Sequence, residues 1–395
     1  MADSRDDDTT VLARSGLYQV SPEAGQPRAH YLFIVDGEGQ GRRIPLGREP
    51  LVIGRAPPAE VVLQDQRISR SHCRVVCAFD EVIVVDLESS NGTFIDGKKI
   101  TTGTTLPVGS RLQLGSHVIE HEWRIRKEVE ESQELDRDIQ QASNYIQALL
   151  PPPLTQGPIR SDWALVPCAR LGGDTFGYRF LDPGHFAIYL IDVSGHGAGA
   201  AMHAVSVINV LRQGALPATD HRDPASVLTA LNAMFGMETH GDLYLTMWYG
   251  VYDLTARTIA YGCAGHHAAY LVGPPRDAAV PLGTKNRAIG ISPTSTYMAG
   301  SLAVPPGSML YVFSDGVFEV QAKDGGDWDF EAFLNVLKAP PVPEMSESQR
   351  LLQAVRETAG ATELEDDFSL VTFRFPPDAP TRTADATWPD RPRPA

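Results

Sequence analysis

Residues 185–197 read HFAIYLIDVSGHG. A run of seven mostly apolar residues ends in an acid, and a glycine-rich turn follows. Such a run reads as a strand buried on both faces, so Asp192 is delivered to a strand end, where a carboxylate is costly unless paired or metal-bound. The pattern recurs along the chain. Asp174 closes Leu171-Gly-Gly-Asp174, Asp315 follows the apolar run MLYVFS and precedes Gly316, and Asp366 and Asp367 precede FSLVTF. A single Asp-Gly would be read as a turn, but acids beside one apolar strand after another are not turn chemistry. No matching set of basic residues sits next to them. Hard cations such as Mg²⁺ or Mn²⁺ take oxygen ligands. Two of them, roughly 3.5–4 Å apart, can activate a water and stabilise an in-line phosphoryl transfer.

Working outward from this stretch, residues 154–375 alternate strands such as HFAIYLIDV, LYLTMWYGVYD, MLYVFSDG and FSLVTFRF with helices predicted at Gly199–Gln213, Ala225–Met234 and Ser346–Thr358. Strands and helices do not alternate strictly, so the expected class is α+β rather than a doubly wound parallel sheet. From Tyr31 to Trp123 the chain is cut into short β-branched runs punctuated by Gly and Asp, the pattern of an all-β sandwich. Between the two, Leu135, Ile139, Ala142, Ile146 and Leu149 step by four and three residues. They form an apolar seam on an otherwise charged helix, which Pro151, Pro152 and Pro153 end. The expected organisation is a flexible N-terminus over 1–29, a β domain over 30–125, a linker helix over 126–153, an α+β domain over 154–375 and a disordered tail over 376–395. That tail holds six prolines.

The net charge of −15, with −9 of it in 154–375, argues against non-specific binding to nucleic acid or anionic membrane. No apolar run approaches the roughly 20 residues of a membrane span. The acidic start MADSRDDDTT lacks the apolar core of a secretory signal, and four cysteines in 395 residues fit a reducing compartment. The expected location is the cytoplasm.

Three loops of the β domain carry polar residues of a second kind: Gly54-Arg55 after the strand LVI, then Ser69-Arg70-Ser71-His72, then Ser89-Ser90-Asn91-Gly92-Thr93. A phosphorylated side chain carries nearly two negative charges and three acceptor oxygens. Binding it takes a guanidinium fork with hydroxyl and amide donors on rigidly presented loops. Arg55, Ser69 and Arg70 supply the phosphate-binding groups, and Asn91 can hold the main chain of an extended peptide.

The order GR, SRSH, SSNGT over short strands resembles the forkhead-associated (FHA) domain. The resemblance implies that Arg55 and Ser69 contact phosphothreonine, with Arg70 as an extra phosphate contact. It also implies that Asn91 holds the peptide backbone and that His72 ties the loops together. In the second domain, GGD, DVSGHG, SDGV and DDFSLV, in that order, resemble the metal-dependent protein serine/threonine phosphatases of the PPM family, SpoIIE-like branch. That resemblance implies a pair of antiparallel sheets flanked by helices. It implies two Mn²⁺ or Mg²⁺ ions held by Asp174, Asp192, Asp315 and Asp366, with Asp192 bridging both and the Val193 carbonyl adding a backbone ligand. His196, where relatives often carry lysine, is a candidate for substrate phosphate contact or proton donation. Two departures stand out: Gly177 lies where many relatives have a second acid after GGD, and Ala268 lies where they often have proline.

His266 and His267 lack the spacing of a zinc site, and Cys73 and Cys77 share one face of a strand as small hydrophobes. By resemblance, the helix before LLPPP mediates dimerisation, a coiled coil being its simplest form, or regulation. The function implied is a phosphoprotein phosphatase recruited or regulated by a threonine-phosphorylated protein, a kinase or a regulator. Its substrate would be a phosphorylated regulator such as an anti-sigma-factor antagonist. The alternative is a catalytically inactive adaptor whose FHA domain scaffolds phosphoproteins.

Overall fold

The computed structural model describes residues 27–78, 81–239, 241–323, 328, 330–361 and 364–377. The expectations for the N-terminal segment before residue 27 and for the tail beyond 377 lie outside the described residues. The chain divides into two compact units at Arg137 and Asp138.

The first unit is a sandwich of two sheets. In chain order its strands are β1 (Arg28–Asp36), β2 (Arg43–Leu46), β3 (Leu51–Gly54), β4 (Val61–Val62), β5 (Cys73–Ala78), β6 (Glu81–Asp86), β7 (Phe94–Ile95), β8 (Lys98–Lys99), β9 (Thr104–Thr105), β10 (Arg111–Leu114) and β11 (His117–Ile125). One sheet runs β2-β1-β11-β10-β7-β8 and the other β4-β3-β5-β6-β9. Only the two-residue β4 pairs in parallel, with β3. Side chains alternate along each strand. Leu32, Ile34, Ile53, Val75, Val84, Leu112 and Ile119 therefore meet between the sheets, each at most 1% exposed. Cys73 is buried in this core and Cys77 packs at its edge. The apolar alternation fixes the sandwich and leaves the inter-strand loops free to carry chemistry.

The helix α1 (Arg126–Leu149) follows directly. Val129 is its sole buried residue and packs on Ala29 and Tyr31. Of the predicted seam, Leu135 is 59% exposed and Ala142 is exposed, while Ile139, Ile146 and Leu149 are half-buried. In the single chain the stripe is only partly covered.

The second unit contains β12 (Arg160–Val166), β13 (Thr175–Asp182), β14 (His185–Val193), α2 (Ala198–Gln213), α3 (Pro224–Met234), β15 (Leu245–Asp253), β16 (Thr258–Ala264), β17 (Ala269–Val272), β18 (Ala279–Leu282), β19 (Gly300–Ala303), β20 (Met309–Phe313), α4 (Phe330–Lys338), α5 (Glu347–Ala359) and β21 (Phe368–Arg374). Two five-stranded antiparallel sheets form, β13-β14-β15-β16-β19 and β12-β21-β20-β17-β18. The strand period decides what each face meets. On β14, Phe186, Ile188 and Leu190 join Trp248, Leu310, Val312 and Phe373 between the sheets. The intervening Ala187, Tyr189, Ile191 and Val193 pack under α2 and α3. On β20, Tyr311 and Phe313 face α4 and α5. The result is four layers: helices, sheet, sheet, helices. This is the expected α+β architecture, with helices α2, α3 and α5 within a residue of their predicted ends. α4 went unpredicted.

Candidate active site and phosphopeptide clamp

The parity of β14 that sends Phe186, Ile188 and Leu190 between the sheets sends Asp192 to the same face, one step past the last apolar residue. Asp315 leaves the end of β20, and Asp366 and Asp367 precede β21, the strand beside it. The acids therefore gather at one edge of the inter-sheet layer. Asp174, 7% exposed, immediately precedes β13, whose first residue Thr175 stands opposite Ile191, the neighbour of Asp192 on β14.

Each carboxylate has a distinct set of neighbours. Asp192 Oδ2 accepts from Thr246 Oγ1 at 3.2 Å. Asp315 Oδ1 accepts from the Gly316 amide at 3.0 Å, and Asp366 Oδ1 from the Asp367 amide at 2.8 Å. Asp367, 7% exposed, is spent on structure: it accepts the Cys168 and Gly173 amides, both at 2.8 Å. It thus ties down the loop that carries Asp174 and leaves Asp366 as the freer of the adjacent pair. A side chain on Gly173 would begin 2.6 Å from the Val193 carbonyl oxygen, so glycine is what lets that loop close on the strand end. Val193 itself is buried, and its amide lies 3.4 Å from the Gly173 carbonyl. Asp174 Oδ2 is buried with no hydrogen-bond partner.

The electrostatics follow from this crowding. Burial, then Asp315, Asp366 and Asp367, push the Asp192 carboxyl up to about 7, against the opposing Thr246 bond. Burial and then Asp192 hold Asp174 well above the usual carboxylate range, the hydroxyls of Ser369 and Ser314 opposing without overcoming them. Asp366 is raised by burial and by Asp315 and Asp367, and lowered by His196. His196 is exposed in the turn before α2 and acts electrostatically on Asp366. No side chain caps the N-terminus of α2, where Gly197 stands at φ 89°. Gly195 and Ala200, at its start, lie beside Gly173, the residue before Asp174, and its first-turn amides carry the positive end of the helix dipole.

Among the described residues, no Lys or Arg forms an ion pair with any of the five acids. Among the described residues, no group of three or more His, Cys, Asp or Glu is already arranged to hold an ion. Mg²⁺ keeps several waters and is commonly held through one or two carboxylates. The donor chemistry here fits such an ion: hard oxygens, no counter-cation, and an orphaned buried oxygen on Asp174. His266 and His267 lie beyond this set. His267 stacks on Phe313 at 4.8 Å and edges Phe318 at 5.2 Å, bracketing Asp315.

In the first unit, the predicted clamp residues come together on neighbouring loops. Glycine at position 54 is required because any side chain there would collide with the Arg70 carbonyl, and the Arg55 amide donates to the Ser69 carbonyl at 3.0 Å. His72 is fully buried. Its Nδ1 accepts the Ser69 amide at 3.0 Å, and its Nε2, which then carries the proton, donates to the Gly92 carbonyl at 3.2 Å. Ser69 Oγ accepts the Ser90 amide at 3.0 Å, and Asn91 Nδ2 donates to the Arg67 carbonyl at 2.7 Å. Ser69 Oγ donates only a long bond, 3.5 Å, to Ser90 Oγ, and Asn91 keeps its Oδ1 and one N–H. Arg55 and Arg70 are exposed and make no ion pair among the described residues. Sequence reasoning missed Asp86, which takes Ser89 Oγ at 2.6 Å and Thr93 Oγ1 at 2.5 Å and so shapes the third loop from below. Burial raises its carboxyl, but those bonds hold it below the usual range.

Comparison with known proteins bears on the two domains that carry these residues. Residues 51–115 match the FHA domain model, and residues 182–376 match the model described as Stage II sporulation protein E (SpoIIE). The FHA domain-containing protein FhaB of Mycolicibacterium smegmatis is 40% identical over 92 residues, 23% of this chain and 59% of that protein. This chain therefore spans less than two thirds of that relative. The phosphoserine phosphatase RsbU of Bacillus subtilis is 26% identical over 253 residues, covering 61% of this chain and 71% of RsbU. The solved SiaA-PP2C domain of Pseudomonas aeruginosa, 22% identical, superposes with a TM-score of 0.51 over 62% of this chain and 98% of that domain, a likeness of fold. Residues 51–115 are thus an FHA domain, and residues 182–376 a SpoIIE-type phosphatase domain of the PPM family.

Proposed function

We propose that the protein is a metal-dependent phosphoprotein phosphatase acting on phosphoserine or phosphothreonine, guided by its FHA domain to threonine-phosphorylated partners. One observation carries the reading: Asp174, Asp192, Asp315 and Asp366 crowd at one edge of the inter-sheet layer, and among the described residues no Lys or Arg pairs with them. Mutual repulsion of buried carboxylates costs stability that only a bound cation or a proton relieves.

Asp174, Asp192, Asp315 and Asp366, with the Val193 carbonyl, are the proposed ligands of two Mn²⁺ or Mg²⁺ ions, Asp192 serving both. When bound, such ions activate water and neutralise charge in phosphoryl transfer. The chain's own groups do the rest. Thr246 holds Asp192 Oδ2 in place, and Asp367 fixes the Asp174 loop. The amides at the start of α2 and the exposed His196 are the proposed receivers of the substrate's phosphate, with His196 the proposed proton donor to the leaving oxygen.

On the FHA domain, Arg55, Ser69 and Arg70 bind the phosphate and Asn91 holds the peptide main chain. The partner is a threonine-phosphorylated kinase or regulator. The substrate class is a small phosphorylated regulator such as an anti-sigma-factor antagonist, supported by the similarity to RsbU. The half-covered stripe on α1 is the proposed homodimer contact. No helix of the described residues is long and apolar enough to cross a membrane, and we place the protein in the cytoplasm.

Hydrolysis of p-nitrophenyl phosphate by the full chain, assayed with Mn²⁺ and with EDTA, tests the enzymatic reading. Turnover with Mn²⁺ that EDTA abolishes supports it. No turnover by a folded chain saturated with Mn²⁺ or Mg²⁺ would leave the adaptor reading in its place.

A further inference from the structure

At the end of β20 opposite Asp315, the second unit has a pocket of about 440 Å³, within the usual range for small-molecule sites. Val272, Met309, Met345 and Pro341 give it apolar walls, and Arg276, Glu347 and Arg374 give it charge. β20 has five residues, so the pocket stands roughly 17 Å from the carboxylates along the same strand.

Several features mark it as a built site. Arg276 sits at φ 72° and Glu344, beside Met345, at φ 67°. The left-handed region is unfavourable for both, and such strain concentrates at ligand clamps. The Arg276 guanidinium is locked in place: the two hydrogens of its Nη2 are shared among Tyr311 Oη at 2.8 Å, the Leu337 carbonyl at 2.5 Å and Glu347 Oε1 at 3.1 Å. Its Nη1 remains to serve the pocket. Glu347, 8% exposed, is matched by a second guanidinium, with Arg350 Nη2 at 2.7 Å and Nε at 2.9 Å. The pocket's balance is therefore positive. Arg374 is exposed, and its cross-strand partner in β12 is Arg160, a like charge directly opposite. Neither has an ion-pair partner among the described residues. Behind the Gly273 wall, Ser308 is fully buried with an unpartnered hydroxyl, 3.5 Å from where a side chain on Gly273 would begin.

We propose that this pocket binds a small organic phosphate of mononucleotide size. Arg374 and Arg276 take the phosphate, and the Val272, Met309 and Met345 walls take the apolar body. An anion there offsets the Arg160–Arg374 repulsion at the end of the two strands that lead to the active-site acids.

AMP and inorganic phosphate titrated calorimetrically into the full chain in EDTA test this. AMP is expected to bind one to one with a Kd below about 1 mM and more tightly than inorganic phosphate. Arg374→Glu, an exposed change that spares the Glu347 network, is expected to weaken AMP at least ~10-fold. Asp192→Asn and Arg55→Ala are expected to bind AMP as the parent does. No binding at about 10 mM AMP, equal binding by Arg374→Glu, or loss of binding in Arg55→Ala or Asp192→Asn would overturn the site. Inorganic phosphate binding as tightly as AMP would overturn the mononucleotide assignment.

Discussion

Replacing Asp192 by Asn should stabilise the metal-free protein. The Asp192 carboxyl is pushed from an ordinary 3.8 to about 7 by burial and by Asp315, Asp366 and Asp367. A folded-state value above the unfolded one means the folded chain holds its proton longer. The favourable contribution is then complete below about pH 4 and lost as pH rises toward 7. Each pH step of that displacement is worth about 1.4 kcal/mol, so ionising Asp192 in the folded protein costs at most about 4 kcal/mol above pH 7. Asn has nearly the same shape and can still accept from Thr246 Oγ1, but it carries no charge. In EDTA, urea unfolding at pH 4, where that contribution is nearly complete, should show parent and Asp192→Asn close together. At pH 8 the variant should be more stable by one to several kcal/mol, on the order of that ceiling. Saturating Mn²⁺ should reverse the order, because the cation binds the carboxylate and not the amide. A variant no more stable than the parent at pH 8 in EDTA would refute the crowding on which the metal site rests.

The remaining predictions concern the other elements. Arg55→Ala should weaken a phosphothreonine peptide about 10- to 100-fold by fluorescence anisotropy while leaving hydrolysis of p-nitrophenyl phosphate nearly unchanged; an equal fall in hydrolysis would show that the clamp acts directly on the active site. His72→Ala removes both buried loop ties, each worth about 1 kcal/mol, and should lower both the stability of the first unit and its peptide affinity; unchanged values of both would deny His72 its structural role. Asp367→Ala should free the Cys168 and Gly173 amides and raise the Mn²⁺ concentration needed for half-maximal activity; an unaltered metal requirement would separate that tether from the site. Ile139→Asp with Ile146→Asp puts charge into the apolar seam and should lower the mass seen by light scattering; an unchanged mass would reduce α1 to a spacer.

Much of this molecule is legible in its sequence, and the reason is local. β14, β15, β20 and β21 are near-continuous apolar runs because both faces are covered, by a sheet on one side and helices on the other. α2, α3 and α5 carry apolar stripes of helical period, and Ser346 with Gln349 closes a capping box at the start of α5. α4, FEAFLNVLK, is only nine residues and held mainly by Phe333 and Leu337 against β20 and β21, a tertiary cause that no local pattern announces. β18 and β19 are four-residue edge strands with weak alternation. In the candidate site, strand ends bearing acids are visible as a pattern. The division of labour between Asp366 and Asp367 is not, because it depends on which carboxylate meets the amides of Cys168 and Gly173, far away in the chain. The pocket of Arg276, Glu347 and Arg374 is hidden for the same reason: its residues come from separate elements.

The central claim is that the acids at the edge of the inter-sheet layer form a metal-dependent phosphatase site. Binding of Mn²⁺ to the full chain, followed by electron paramagnetic resonance alongside hydrolysis of p-nitrophenyl phosphate, tests it most directly. The parent should bind Mn²⁺ and turn over in proportion to occupancy, and Asp192→Asn should lose both while keeping the parent's circular dichroism. A folded Asp192→Asn variant that still binds Mn²⁺ and hydrolyses the ester at the parent's rate would contradict it.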